Sequence, residues 1–154
     1  MRKLPRFPLA MLLLAALLPA QTAAPKPSPG ESTLDEPAAS RLLLQLNEAL
    51  QGHSQKKMLD LFDLGRMKEG ELFKQHVSSF FAQAESIRAH LNLAGTTTEN
   101  NQTILAVDAE IEVEPINGAL PWRRQEHVLF QVANNSGQWK FFDVQPRSFF
   151  TTAP

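Results

Sequence analysis

Apolar residues recur along this chain at two different periods, and the change falls near residue 87. Before it they return every three or four positions. In "AASRLLLQLNEALQG", residues 38 to 52, Leu42, Leu43, Leu46, Ala49 and Leu50 share one helical stripe. Pro37 suits a first turn and Gly52 a stop. "HSQKKMLDLFDLG" follows, where Ser54 can cap a second, short helix carrying Met58, Leu59, Leu61 and Phe62, ended by Gly65. A third helix is predicted from about Glu69 to Ser86. Its stripe holds Leu72, Phe73, His76, Val77, Phe80, Phe81 and Ala84. So wide an apolar face needs something flat beneath it, such as a sheet.

From Ile87 the period becomes two, the signature of half-buried strands. "IRAHLNLAG" puts Ile87, Ala89, Leu91 and Leu93 on one side, and Gly95 with "TTTENNQ" predicts a turn. In "QTILAVDAEIEVEP" Leu105, Val107, Ala109, Ile111 and Val113 point one way and Asp108, Glu110, Glu112 and Glu114 the other. "PINGALP" makes a longer connection. "PWRRQEHVLFQVANNSGQWKFFDVQP" then reads as two strands joined at Asn134-Asn135-Ser136-Gly137, residues that tolerate positive φ. A run of helices followed by a run of strands predicts an α+β domain: three N-terminal helices packed on a curved, mainly antiparallel four-stranded sheet with meander connections.

The N-terminus changes the picture of where such a domain works. Arg2, Lys3 and Arg6 precede the apolar run Leu9 to Leu18, and Pro19 and Ala20 open a zone of small residues. The run is too short to span a bilayer, which takes about 20 apolar residues, so residues 1–20 are predicted to be a signal peptide cleaved near Ala20. Residues 21–37, rich in Pro, Ala, Ser and Thr, read as a flexible linker. The domain proper is expected over 38–150, with a tail at 151–154. The expected location is periplasmic or secreted, with no membrane attachment after cleavage. The chain has no cysteine, which excludes disulfides, thiolate metal sites and a lipidated cysteine. Loss of the three leader cations would leave 12 of the 15 basic residues against 16 acidic ones, a net charge of −4. A weakly acidic domain has no footprint for nucleic acid.

"LLLQLNEALQGHSQKKMLDLFD" resembles the opening helix pair of the nuclear transport factor 2-like superfamily, the cone-shaped α+β barrels that include steroid isomerases and polyketide cyclases. "GQWKFFDVQPRSFF" is similar to that family's last strand. The resemblance spans roughly residues 38 to 150 and implies a curved sheet wrapped around the long third helix, with a cone interior able to hold a pocket and a sheet able to form a homodimer. It also implies that the last strand lies inside the sheet, neighboured on both sides, with Trp139 and Phe141 on one face and Phe142 and Val144 on the other. Pro146 would end that strand, and Phe149 and Phe150 would either dock on a partner or, the favoured reading, fold back over an open end of the core.

Candidate chemistry is sparse. The acidic row of the second strand reads as a solvated ladder facing Arg123, Gln125, His127 and Gln131 of the third, rather than a metal site. His76 sits between Phe73 and Phe80 on the apolar stripe, where it is either a polar group in the cone or a core-edge histidine bonded to backbone. Arg124 and Glu126 share the parity of Val128, Phe130 and Val132 and so lie on the core face, near the strand's start. The pocket-lining candidates are therefore Phe73, His76, Phe80, Arg124, Glu126 and Phe130. Isomerases and dehydratases of the resembling family use tyrosine hydroxyls, and this chain has no tyrosine. No nucleophile elbow, phosphate loop or metal-binding histidine pair occurs. No catalytic residue, metal or cofactor is assigned. The expected function is an exported, non-enzymatic domain binding a small apolar ligand in the cone or a partner through the sheet. The alternatives are a cavity enzyme (isomerase, dehydratase or cyclase) using His76 with Arg124 and Glu126, and a homodimerisation module.

Overall fold

Asp35 opens the first helix: its carboxylate accepts from the Ala38 amide at 2.9 Å, satisfying one of the donors that a helix start leaves orphaned. The computed structural model describes residues 33–99 and 102–151, and helix α1 spans Glu36–Gln51. The leader and most of the linker predicted from the sequence lie outside the described residues. Order begins ahead of residue 38, since Leu34 is buried against the core. Asp35→Ala is expected to cost about 1 kcal/mol of stability, read as a small drop in the thermal midpoint with an unchanged helical circular dichroism spectrum. An unchanged midpoint would mean that solvent serves the Ala38 amide equally well.

Helix α2 is a single short segment, Gln55–Asp60, capped by Ser54. It stops well before Gly65, because Leu61, Phe62 and Asp63 are drawn into backbone pairing with the last strand. The Phe141 amide donates to the Leu61 carbonyl at 2.9 Å and the Asp63 amide to the Phe141 carbonyl at 2.7 Å. Helix α3 spans Gly70–Gln83 and buries Phe73, Val77, Phe80 and Phe81. It ends three residues before the predicted Ser86. Ala84 is already extended and pairs with Pro115, so strand pairing takes over residues with helical spacing. Leu72, predicted on the stripe, is exposed at its margin.

Strands β1 (Ala84–Glu99), β2 (Gln102–Pro115), β3 (Trp122–Asn135) and β4 (Gln138–Gln145) form one antiparallel sheet in sequence order. β1 continues through Gly95, where the sequence predicts a turn. A register shift between Leu93 and Gly95 absorbs the glycine, and pairing persists to Glu99 opposite Gln102. β3 and β4 meet at Asn134–Gly137, with Ser136 at φ 52° and Gly137 at φ 86° as that turn requires.

Two expectations about β4 are corrected. It is the sheet's edge strand rather than an interior one. Its outer side is blunted by the bridge from Phe62 to Phe141, so only part of the edge is open. Its apolar residues also do not alternate as predicted. A bulge at Phe142 aligns Val132 with Phe141 and Phe130 with Val144, so that Phe141 and Val144 share the core face. Phe142 instead lies under the Arg66 guanidinium, 4.8 Å from its ring centroid.

After Pro146 the chain makes a 3-10 turn, Arg147–Phe150, which folds back over the core as predicted. Phe149 and Phe150 have no solvent exposure. Phe150 meets Phe62, Phe73, Phe130 and Phe149 at ring-centroid separations of 5.0 to 6.5 Å. Phe62 and Phe130 both stack on Phe141, at 5.1 and 4.8 Å. This aromatic cluster fills one part of the space between helices and sheet.

Candidate functional site

The sheet's outer face carries the acidic row as a charge ladder. Arg123 reaches Glu110 at 2.6 Å, His127 Nδ1 lies 2.9 Å from Asp108, and Arg88 of β1 spans Glu112 and Glu114 at 3.4 and 3.3 Å. Arg88 joins from a strand that the sequence reading did not pair with these carboxylates. Most of these side chains are widely exposed, where each pair contributes little to stability. Among the described residues no group of His, Cys, Asp and Glu is arranged to hold a metal ion.

The other end of the sheet is chemically different. Pro115 cannot extend the ladder, so β2 stops there and the chain crosses to β3 through residues 116–121. Three local features shape that loop. The Ile116 amide donates to the Gln83 carbonyl at 3.0 Å, tying the loop to the end of α3. Asn117 Oδ1 accepts from the Ala119 amide at 3.0 Å in an Asx-type turn. Gly118 takes φ 70°, where a side chain would be strained. The loop therefore stands away from the sheet and opens a cleft of about 510 Å³.

Phe80, Val113, Ile116, Leu120 and Trp122 supply the cleft's apolar walls, and Gln83 and Asn117 are the polar side chains that line it. Among the described residues no ionisable side chain lines it. Phe80 and Trp122 meet nearly edge to face, with centroids 6.3 Å apart. Leu120 is 87% and Ile116 60% exposed, so two large apolar side chains stand in water at the rim.

Trp122 also touches Arg124, whose guanidinium carbon lies 5.1 Å from the indole centroid. Arg124 Nη1 donates to the carbonyls of Ser148 (2.6 Å), Phe149 (2.9 Å) and Thr151 (3.1 Å). A cation is a natural partner for carbonyls gathered at the end of a helical turn, and the Ser148 carbonyl also accepts from the Thr151 amide at 3.1 Å. Glu126 lies 3.8 Å from Arg124 Nε, and the Arg124 side chain is only 14% exposed.

The six residues proposed from sequence are thus divided among several places. Phe80 walls the cleft. Phe73 and Phe130 lie in the filled aromatic cluster. Arg124 and Glu126 form an ion pair anchored on the C-terminal turn. His76 is half-buried on α3, outside the cleft lining and without a hydrogen-bond partner among the described residues. Ile116, Leu120 and Trp122 were not among the candidates. The signal for Ile116 and Leu120 was present in "PINGALP", a connection holding large apolar residues among turn formers, and Trp122 follows it directly.

Structural comparison places this architecture among solved proteins. A conserved protein from Planctomyces limnophilus superposes with a TM-score of 0.61 at 17% identity, covering 71% of this chain and 92% of that one. A protein described as a scytalone dehydratase from Novosphingobium aromaticivorans gives 0.63 at 11% identity, covering 70% and 79%. A type 2 hexachlorocyclohexane dehydrochlorinase (LinA) gives 0.55 at 7% identity, covering 70% and 80%. This is the nuclear transport factor 2-like fold. No family model matches the sequence, and no curated protein matches it. Within this nuclear transport factor 2-like cone, Phe149 and Phe150 of the chain itself occupy part of the interior, and open volume survives where Phe80 and Trp122 face the β2–β3 loop.

Proposed function

We propose that this protein is an exported, non-enzymatic binding domain that takes a small, uncharged apolar ligand in the cleft between Phe80, Trp122 and the β2–β3 loop. The observation that carries this reading is the cleft's lining: among the described residues it offers aromatic and aliphatic surface with two amide side chains and no group able to exchange a proton. A charged ligand entering it would lose hydration without gaining a counter-ion, which is costly. An apolar one would cover Ile116 and Leu120, which now face water. Cavity chemistry through His76 would need that imidazole at the cleft, and it is not part of the lining. The leader-like run of Arg2, Lys3 and Arg6 before Leu9–Leu18 supports export.

Titration with Nile red, a neutral planar dye, tests the reading. Saturable binding by the wild-type domain is expected, weakened roughly tenfold or more (about 1.4 kcal/mol per tenfold) in Ala82→Trp, which fills the cleft from an exposed position on α3. Binding by Ala82→Trp equal to that of the wild type would place the dye elsewhere and end the proposal.

A further inference from the structure

The cleft and the C-terminus are joined by a short chain of contacts. Trp122 has two partners: the Phe80 ring of the cleft wall, with centroids 6.3 Å apart, and the guanidinium of Arg124, whose carbon lies 5.1 Å from the indole centroid. Arg124 is in turn fixed by the Ser148, Phe149 and Thr151 carbonyls. Those carbonyls belong to the turn that buries Phe149 and Phe150 in the aromatic cluster. The planar guanidinium is suited to both tasks at once, stacking on the indole while donating in its own plane. The methylene stem of a methionine would do neither.

Resting on the cleft reading above, we propose that Arg124 is a positioning residue coupling ligand occupancy of the cleft to docking of the C-terminal turn. With the turn docked, Arg124 is immobilised and presents Trp122 as a rigid wall. With the turn released, Arg124 loses its carbonyl partners and Trp122 loses its backing, so the cleft's aromatic wall becomes mobile and the ligand must order it on binding. Docking of residues 147–151 therefore raises affinity, and by linkage an occupied cleft holds the turn more firmly. Docking of the C-terminal turn thereby tunes the same site without touching a ligand-contacting side chain.

The test is Arg124→Met, compared with Leu43→Ala, a core truncation on α1 remote from the cleft lining. Nile red affinity is expected to fall about fivefold to tenfold in Arg124→Met, within the usual span of coupling between sites, and to stay at the wild-type value in Leu43→Ala. Saturating dye is expected to slow hydrogen exchange of the Phe149 and Thr151 amides, which bond to Pro146 and Ser148, in the wild type and not in Arg124→Met. Wild-type affinity in Arg124→Met, or equal weakening in Leu43→Ala, would overturn the coupling. A ligand-free readout separates this from failure of the cleft itself. The chain has two tryptophans, so in a Trp139→Phe background the emission reports Trp122 alone. Arg124→Met should shift it to the red, and an unshifted spectrum overturns the positioning role even if no dye binds. Absence of saturable dye binding by the wild type, with the red shift present, would instead retire the cleft ligand and keep Arg124 as the link between Trp122 and the C-terminus.

Discussion

Phe150→Ala is expected to destabilise the domain by about 3–5 kcal/mol, the usual cost of removing a buried aromatic ring. The side chain belongs to a short turn, Arg147–Phe150, beyond the last strand. Here it has no solvent exposure and four aromatic neighbours drawn from the segment after α2, from α3, from β3 and from its own turn. Those neighbours belong to elements fixed by their own pairing, so they cannot collapse into the space. Out of a total stability of about 5–15 kcal/mol for an ordinary domain, this is a large share. Chemical denaturation is the measurement. A loss below about 1 kcal/mol would mean that the C-terminal turn is peripheral and that the aromatic cluster stands without it.

Gly70→Ala is expected to destabilise by about 1–3 kcal/mol or more, although the same change inside an exposed helix stabilises by about 1 kcal/mol. Gly70 is the first residue of α3 and is buried. A Cβ there would run into the Leu64 carbonyl oxygen, with the Leu64 carbonyl carbon at 3.0 Å and its Cα at 3.2 Å. All three are backbone atoms and cannot rotate away. The segment that would have to move carries Phe62 and its bridge to β4, so the strain would spread to the sheet edge. Gly65→Ala is the control: the nearest atom is Asp63 Oδ1 at 3.6 Å, an ordinary contact. Thermal midpoints of the two variants should separate clearly. Equal midpoints would show that α3 can shift its start without cost.

Most of the architecture was legible because periodicity reports burial directly. Leu42, Leu46, Phe62, Phe73, Phe80, Val107, Ile111 and Phe130 fall on the apolar faces read from the spacing, and all are buried. β2 shows why: each of its residues from Leu105 to Val113 faces either the helices or water, so the alternation is undiluted. The site was less legible. Phe73, Phe80 and Phe130 look equivalent in sequence, yet two fill the interior and one walls a cleft, according to where Phe150 happens to reach. Arg124 had the right face but an unforeseeable partner, since carbonyls of residues 148, 149 and 151 carry no mark in the sequence.

The amino-acid sequence by itself determined the order of helices and strands, most of their buried faces and the β3–β4 turn, because each depends on residues within a turn or two of one another. Only the tertiary structure decided that β4 lies at the edge, that a bulge at Phe142 turns Val144 inward, and that an apolar cleft opens beneath the β2–β3 loop. These are outcomes of competition for the same interior space between segments far apart in the chain. The winner is set by which backbone groups find partners and which rings fit a given void, and local pattern holds no record of that contest.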